Sequence, residues 1–387
     1  MVIGIPKETF PGERRVALIP SAIPALTRAG LDILVETSAG DNAGFSDTAY
    51  KESGASIALS RGEVFASSDI ILQVRAIGAN PDAGRSDIEL MKQGQVLIGF
   101  LDSLTSSMMI REAAAKGVTA FAIEFIPRIS RAQSMDALSS MAFIAGYKAV
   151  LLAAERLPRM FPMLMTAAGT VSPARVFVIG AGVAGLQAIA TSRRLGAVVE
   201  AYDVRPTVRQ EVESLGARFV ELPLDTAGGG DAAGYARALG EDFYRRQREL
   251  MSLVVSRNDV VITTAAVPGK KAPLLITREM VAGMAPGSVI VDLAAERGGN
   301  CESTRPGDTV VEHGVTILGP VNLTSTVPYH ASQLYAKNIS SFLLHLIKDG
   351  ELKIDLEDII IRDTLIMQGG KVVHPKILEI IGEGGDC

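Results

Sequence analysis

Short apolar runs alternate with helically patterned segments over the first third of the chain. The runs are four to six residues long and rich in Val and Ile, as in β-strands. The predicted strands are Val2–Ile5, Leu31–Glu36, Asp69–Val74, Gln95–Phe100 and Val118–Ile123, and the predicted helices are Ser21–Ala29, Arg61–Ala66 and Ser107–Lys116. This alternation predicts βαβ units and a parallel sheet with helices on both faces.

The next part of the chain repeats the alternation with more continuously apolar runs. Ser139–Arg156 predicts a long, mostly apolar helix that ends near Pro158. The strands predicted after it begin with the run at Arg175 and continue with Arg218–Leu222, Asp259–Thr264, Ser288–Asp292 and Val315–Leu318. Continuous apolar runs are typical of parallel strands that are buried on both faces.

The C-terminal part predicts a return to the first domain. Ser332–Lys348 has helical periodicity, and Thr364–Met367 with Lys371–Val373 predicts a β-hairpin around Gly369-Gly370. We therefore predict an α/β fold of two Rossmann-like, doubly wound domains with mostly parallel sheets, joined by two long crossing helices. The predicted domains are residues 1–138 with 332–387, and residues 139–331.

Composition excludes several classes of protein. The chain has 387 residues, 48% of them apolar, which suits two domains of ordinary size. A net charge of −5 with scattered Lys and Arg argues against nucleic acid as a partner. The most apolar stretches, Met141–Ala154 and Val176–Ala190, are shorter than a membrane span. Two cysteines and no Cys/His cluster predict no structural zinc and no metal site.

A glycine motif follows the strand at Arg175. It reads Gly180-x-Gly182-x-x-Gly185 between a predicted strand and a predicted helix. In a dinucleotide site the first glycine permits a tight turn and the second lets the backbone approach a pyrophosphate. The third lets the helix pack on the strand. Asp203 ends the next strand at the offset of a ribose-binding acid, which favours NAD(H) over NADP(H).

Other polar positions leave alternatives open. Arg205, two residues after Asp203, could hold a 2′-phosphate instead. Pro127–Ser140 follows a strand's carboxyl end, and its polar side chains could bind a ligand or could merely cap the following helix. Asp225–Ala238 is glycine-rich and long for a βα connection, so it is a surface loop or a lid. Of the four histidines, His330 alone is placed to reach a cleft, although a surface position is the simpler interpretation.

Four segments carry a resemblance that covers nearly the whole chain. They read IPKETFPGERRVALIP at 5–20, PRISRAQSMDALSS at 127–140, MTAAGTVSPARVFVIGAGVAGLQAIA at 165–190 and ITTAAVPGKKAP at 262–273. Together they resemble the soluble NAD(H)-binding component, domain I or the alpha-1 subunit, of proton-translocating NAD(P) transhydrogenases. The second segment is the most specific, because it matches the loop that holds the nicotinamide end of NAD(H) in that family.

The resemblance implies a set of site residues and partners. The nicotinamide-positioning residues would be Arg128, Gln133, Asp136 and Ser139, with no catalytic acid or base. The remaining nucleotide contacts would be Gly180, Gly182, Val183, Ala184, Gly185, Asp203, Val204, Arg205, Tyr235, Thr264 and Ala265, where Tyr235 belongs to the family's mobile loop. The implied partners are an NADP(H)-binding domain, a membrane-spanning proton-channel domain and a second copy of the chain. The implied location is cytoplasmic and peripheral to the inner membrane.

Alanine dehydrogenase is the main rival, because it is similar in fold and in several motifs. That family binds a substrate carboxylate with an Arg and a Lys and moves protons with a His and an Asp. Arg15 matches the Arg, whereas the other three positions carry Arg75, Asp102 and Glu296. Direct hydride transfer between two nicotinamides needs no proton donor, so these departures favour the transhydrogenase hypothesis. A non-catalytic NADH-binding module is a third hypothesis.

Overall fold

The chain forms two compact units, each built on its own sheet. The computed structural model describes residues 1–223, 241–267, 269–348 and 350–383. Unit 1 comprises Met1–Met141 and Thr324–Cys387, and unit 2 comprises Ala142–Leu323. The chain passes from unit 1 into unit 2 inside a long helix and returns between Leu323 and Thr324.

The strands are short, and most of those in the two large sheets are buried. Within the described residues they are β1 (Val2–Ile5), β2 (Asp32–Glu36), β3 (Ser56–Ala58), β4 (Ile70–Arg75), β5 (Val96–Phe100), β6 (Thr119–Ala122), β7 (Leu164–Thr166), β8 (Gly169–Val171), β9 (Arg175–Ile179), β10 (Val198–Tyr202), β11 (Arg218–Phe219), β12 (Val260–Thr263), β13 (Val289–Asp292), β14 (Thr309–Glu312), β15 (Val315–Leu318), β16 (Ile347–Lys348), β17 (Glu351–Leu352), β18 (Leu365–Gln368) and β19 (Lys371–Val372).

Most of the helices lie between successive strands, as βαβ units require. Within the same ranges they are α1 (Ile23–Arg28), α2 (Asp47–Glu52), α3 (Arg61–Ser67), α4 (Gly84–Leu90), α5 (Ser107–Ala115), α6 (Ala137–Arg156), α7 (Val183–Arg194), α8 (Arg209–Ser214), α9 (Glu241–Ser256), α10 (Arg278–Ala282), α11 (Pro328–Leu346), α12 (Ile359–Thr364) and α13 (Pro375–Glu383).

Unit 1 contains an eight-stranded sheet in the order β19-β18-β6-β5-β4-β1-β2-β3. The strands from β6 to β3 are parallel, and the order reverses between β1 and β4. The C-terminal hairpin of β18 and β19 pairs antiparallel with β6, which confirms the hairpin predicted from the sequence.

Unit 2 contains a seven-stranded sheet in the order β11-β10-β9-β12-β13-β15-β14. All pairs are parallel except β14 with β15. The strand order reverses between β9 and β12, and ligands of open α/β sheets bind beyond the carboxyl ends of the strands at such a point. The two mostly parallel sheets confirm the predicted fold class.

Helix α6 is longer than its most apolar stretch suggested. Among the described residues it is a helix long and apolar enough, by length and composition only, to cross a membrane. Core helices of soluble proteins pass the same test, and Ala149, Val150 and Ala153 of α6 are buried in the same core of unit 2 as Val176 and Val178 of β9.

The hairpin of β7 and β8 was missed at the sequence level. Its two strands have three residues each and are exposed along their whole length. The turn residues Ala167 and Ala168 lack the Asn-Gly or Asp-Gly signal that marks a two-residue hairpin.

Candidate functional site

The glycine motif of unit 2 forms the turn between β9 and α7. Gly180 has φ +96°, a left-handed conformation that favours glycine, and a Cβ there would lie 2.5 Å from Thr264 Oγ1. A Cβ on Gly185 would lie 1.8 Å from the Gly180 carbonyl oxygen. Gly182 differs, because a Cβ on it would meet no atom of the described residues within 4 Å. The fold itself therefore requires the first and third glycines but not the second.

Helix α7 begins next to this open side of Gly182. Gly182 is its N-cap residue and offers no side chain, so Val183 and Ala184 open the helix without a side-chain cap. The first backbone N–H groups of an α-helix have no partner within the helix and carry the positive end of its dipole. A turn followed by such a helix start is suited to bind the phosphates of a nucleotide.

Asp203 follows β10 and is buried beside the turn. Its carboxylate accepts hydrogen bonds from the Ala181 N–H at 2.7 Å and from the Arg205 backbone N–H at 2.9 Å. It also accepts from Nε and Nη2 of the Arg205 side chain at 2.9 and 2.8 Å. A carboxylate has about four acceptor positions, so the chain itself uses them all. A ribose hydroxyl would have to share or displace Arg205, which the sequence did not reveal.

Thr264 and Ala265 lie directly after β12, across the strand-order reversal from Asp203. Thr264 Oγ1 donates to the Gly180 carbonyl oxygen at 3.0 Å, and its N–H donates to Ile179 O at 2.9 Å. The structure therefore brings Gly180, Gly185 and Thr264 together.

Val204 is partly buried after Asp203. Tyr235 and the segment Asp225–Ala238 lie outside the described residues.

Two buried polar residues near this turn were missed by the sequence analysis. Asp292 ends β13, and Asn300 lies in the loop that follows it; both are fully buried. The amide of Asn300 bonds to the backbone of Ala265. A signal existed in the sequence, since a polar Asp at the end of an apolar strand and the following GGN segment are unusual for a surface loop.

The Pro127–Ser140 segment of unit 1 contains a 3-10 helix, Ser130–Met135, that leads into α6. Asp136 accepts from the N–H of Ser139 at 2.8 Å and from its Oγ at 2.6 Å, which is helix capping. Arg128 and Gln133 are exposed. The structure thus brings Asp136 and Ser139 together, and the hydrogen bonds between them are those that the capping interpretation expects.

Arg131 of the same segment is paired rather than simply solvated. Its guanidinium donates to both carboxylate oxygens of Asp358, which also contacts His345 Nε2 at 2.8 Å. Burial acts to raise the pKa of Asp358, but the hydrogen bonds from Arg131, the Ile360 N–H and His345 lower it to about 2. This ion pair ties the segment to the start of α12.

The position that would bind a substrate carboxylate in an amino-acid dehydrogenase is Arg15, which is buried in unit 1. Its Nε and Nη2 donate to the two oxygens of Glu13 at 2.8 and 2.6 Å. Arg75 lies over the ring of Phe10, 3.9 Å from its centroid. Burial and the nearby Glu13 raise the pKa of Glu8, which accepts from two backbone N–H groups of β4, to about 8. Because Arg15 donates to both oxygens of Glu13, its guanidinium is already bound to a carboxylate of the chain.

The remaining candidate groups give no further site. Asp102 accepts from Thr105 Oγ1, and Glu296 is exposed in the 3-10 helix Ala295–Arg297 after β13. His330 is exposed near the start of α11 with its ring edge against Tyr329. Among the residues that the structure describes, no group of three or more His, Cys, Asp or Glu side chains is arranged to hold a metal ion.

Both halves of the chain match models of one protein family. Residues 4–145 match the alanine dehydrogenase/PNT N-terminal domain, and residues 149–375 match the alanine dehydrogenase/PNT C-terminal domain. The two matches together span most of the sequence.

Individual relatives have two different names. The chain is 46% identical to the first part of the NAD(P) transhydrogenase subunit alpha of Rhodospirillum rubrum, over 97% of this chain and 99% of that protein. It is 29% identical to alanine dehydrogenase of Mycolicibacterium smegmatis, over 97% of this chain and 96% of that protein. A solved transhydrogenase structure from Sinorhizobium meliloti has a TM-score of 0.83 and 41% identity, covering 97% of this chain and 99% of that one.

Proposed function

Because the chain belongs to the alanine dehydrogenase/PNT family, we propose that it is the NAD(H)-binding component of a proton-translocating transhydrogenase. In this proposal unit 2 binds NADH, and the hydride passes directly to NADP⁺ on a separate NADP(H)-binding domain. The 46% identity to a transhydrogenase alpha subunit supports this assignment over the 29% identity to an alanine dehydrogenase.

The observation that carries the proposal is the open side of Gly182. Gly180 and Gly185 are explained by contacts within the chain, whereas a methyl group on Gly182 would meet nothing among the described residues. A glycine that the fold does not need, at the start of a helix whose first N–H groups have no partner within the helix, is explained by a second molecule that approaches the backbone closely. A pyrophosphate has the charge and shape for this position.

The chemistry needs orientation more than acid or base catalysis. NADH gives up a hydride at one carbon and NADP⁺ accepts it at another, and no proton moves at either carbon. The chain therefore has only to hold the nicotinamide in place and leave one face open to the acceptor. We assign this role to Arg128, Gln133, Asp136 and Ser139, on the resemblance of the Pro127–Ser140 segment to the nicotinamide loop of transhydrogenases.

The same proposal includes the partners that the resemblance implies. A membrane-spanning proton-channel domain would couple the reaction to proton movement, and two copies of this chain would form a homodimer. The chain would then lie on the cytoplasmic side of the inner membrane through its partner subunits.

An amino-acid dehydrogenase is the second candidate, favoured by the alanine dehydrogenase relative. Its substrate carboxylate would need the guanidinium of Arg15, which is buried and paired with both oxygens of Glu13. Breaking a buried pair costs several kcal/mol, on the order of 3–5. This pairing weighs against substrate binding at Arg15. A non-catalytic NADH-binding module is the third candidate.

One experiment separates the three candidates. The full chain is given NADH and an NADP⁺ analogue, with and without an NADP-binding partner domain, and reduction of the analogue is followed. Pyruvate with ammonia replaces the analogue in a parallel reaction. Reduction that depends on the partner domain is expected. Turnover of pyruvate by the chain alone would establish the dehydrogenase, and NADH binding without either reaction would establish the binding module.

The role of Gln133 has its own test. Gln133→Asn shortens an exposed side chain by one methylene, so we expect slower hydride transfer with little change in NADH affinity. Gln93 is another exposed glutamine of unit 1, so Gln93→Asn is the matched control and should change neither the rate of hydride transfer nor the NADH affinity. Equal losses of rate and affinity in Gln133→Asn would contradict the positioning role.

A further inference from the structure

A buried carboxylate in unit 2 organises the loop that follows β13. Asp292 is fully buried and accepts five hydrogen bonds. One oxygen accepts from Thr263 Oγ1 at 2.9 Å and the Ala294 N–H at 3.0 Å, and the other from the N–H groups of Asn300 at 2.7 Å and Cys301 at 3.0 Å and from Thr304 Oγ1 at 2.7 Å. The backbone of Asn300 is therefore held in one place relative to the end of β12.

Both polar atoms of the Asn300 side chain bond to backbone groups. Its Nδ2 donates to the carbonyl oxygens of Ala265 and Pro273, each at 2.9 Å, and its Oδ1 accepts from the Ala265 N–H at 3.1 Å. Both polar backbone groups of Ala265 thus pair with one amide. The amide takes the place of a peptide group on a neighbouring strand, just past the end of β12, where the ladder with β13 stops.

Ala265 is adjacent to the residue that contacts the glycine turn. Thr264 Oγ1 donates to the Gly180 carbonyl oxygen, and it lies so close to Gly180 that a Cβ on that glycine would be 2.5 Å from it. Thr264 is therefore fixed against the turn, and a displacement of Ala265 would move the backbone that follows β12. Together the bonds form one relay from Asp292 through Asn300 and Ala265 to Thr264.

The relay lies on one side of the turn. In the sheet order β10-β9-β12, Asp203 follows the strand on one side of β9, and Thr264 follows the strand on the other. A dinucleotide whose pyrophosphate lies on the turn and whose adenosine lies toward Asp203 would place its other half toward Thr264 and Ala265.

We propose that Asn300, held by Asp292, is a positioning residue for the nicotinamide half of the dinucleotide. This inference rests on the proposed function of unit 2. It assigns to Asn300 an effect on NADH that is not shared by ligands made of the adenosine half alone.

The test compares two ligands in the full-length protein. Asn300→Ala should raise the dissociation constant of NADH about tenfold or more and that of 5′-AMP by less than about twofold. Asn258→Ala is the matched control, because Asn258 is a buried asparagine of unit 2 that donates to Val254 O at 2.7 Å before β12 begins. A general loosening of the unit would move both ligands together, and the control should preserve their affinity ratio.

Several outcomes would overturn the inference. Parallel losses of NADH and 5′-AMP binding in Asn300→Ala, or an unchanged NADH affinity, would remove the positioning role. If Asn300→Ala does not fold, Thr264→Val breaks the last bond of the relay, and absence of the same split there would overturn it equally. Failure of the wild type to bind either ligand would instead refute the proposed function.

Discussion

Gly182 and Gly185, at the start of α7, give a sharp test of the site. The same added methyl group should lower stability at one position and nucleotide affinity at the other. Gly182→Ala and Gly185→Ala add the same Cβ to the same turn. On Gly185 it would lie 1.8 Å from the Gly180 carbonyl oxygen, whereas on Gly182 it would meet no described atom within 4 Å. We expect Gly185→Ala to destabilise unit 2 and Gly182→Ala to impair nucleotide binding alone.

The magnitude for Gly185→Ala follows from the overlap. Real Cβ atoms essentially never approach another heavy atom closer than 3.0 Å, so α7 and β9 must separate by more than about 1 Å. Such overpacking costs about 1–3 kcal/mol, and alanine regains about 1 kcal/mol over glycine in a helix. Because the overlapped atom is a backbone oxygen that cannot turn aside, the upper end of that cost applies, and a net loss of about 2 kcal/mol lowers the melting temperature by about 4–8 °C.

Gly182→Ala should leave the free energy of unfolding nearly unchanged. Gly182 has φ −78° and ψ −168°, which any residue adopts. Alanine is a poorer N-cap than glycine but restricts the unfolded chain, and these effects oppose each other at about 0.5–1 kcal/mol each. Its methyl group would occupy the space required by the pyrophosphate, so NADH affinity should fall about tenfold or more, equivalent to about 1.4 kcal/mol.

Both quantities can be measured on the same samples. Thermal unfolding followed by circular dichroism reports stability, and titration of NADH fluorescence reports affinity. Wild-type affinity in Gly182→Ala would refute the assignment of the pyrophosphate to this turn. A melting temperature of Gly185→Ala equal to that of the wild type would refute the packing argument.

Three further predictions concern charged groups. Asp203→Ala should weaken NADH binding by about 1–3 kcal/mol and, by releasing Arg205 from its partner, narrow the preference for NADH over NADPH; competitive titration checks both, and an unchanged preference would contradict it. Because the pKa of Glu8 is about 8 in the folded state, above its ordinary value of 4.5, the free energy of unfolding should decline as pH rises from about 5 to 8 by up to about 1.4 kcal/mol per unit. Urea unfolding at several pH values gives this free energy, and its decline with pH should be smaller in Glu8→Gln than in the wild type. Glu13→Ala removes the carboxylate that accepts from the buried guanidinium of Arg15, so urea unfolding should show a loss of about 3–5 kcal/mol; a loss below about 1 kcal/mol would show that the pair is not needed.

The strands of both sheets were largely predictable from the sequence, because each is a short apolar run between polar or glycine-containing turns. β1 was predicted with its bounds unchanged, and the C-terminal hairpin of β18 and β19 to within a residue. β3, β14 and the hairpin of β7 and β8 were not predicted, since runs of three or four residues are too short for periodicity to be read.

Side-chain roles were harder to predict than elements. The segment Pro127–Ser140 was open to two interpretations, ligand binding or helix capping, and the structure adds capping bonds between Asp136 and Ser139. The assignment of Arg128 and Gln133 to a nicotinamide remains a prediction. Arg131, expected to be solvated if the segment only capped α6, instead pairs with Asp358, far away in the sequence.

The sequence by itself determined the glycine turn, the helix that follows it and the acid at the end of the next strand. These features depend on backbone conformation within a few consecutive residues, so their spacing suffices to identify them. Only the tertiary structure decided that Asp203 is occupied by Arg205, that Arg15 is bound to Glu13 and that Asn300 holds Ala265. Such pairs form because burial removes water as a partner. Asp203 with Arg205 and Glu13 with Arg15 are each two residues apart, and whether such neighbours bond each other is decided by what surrounds them once they are buried. Asn300 and Ala265, 35 residues apart, meet because β12 and β13 are adjacent in the sheet.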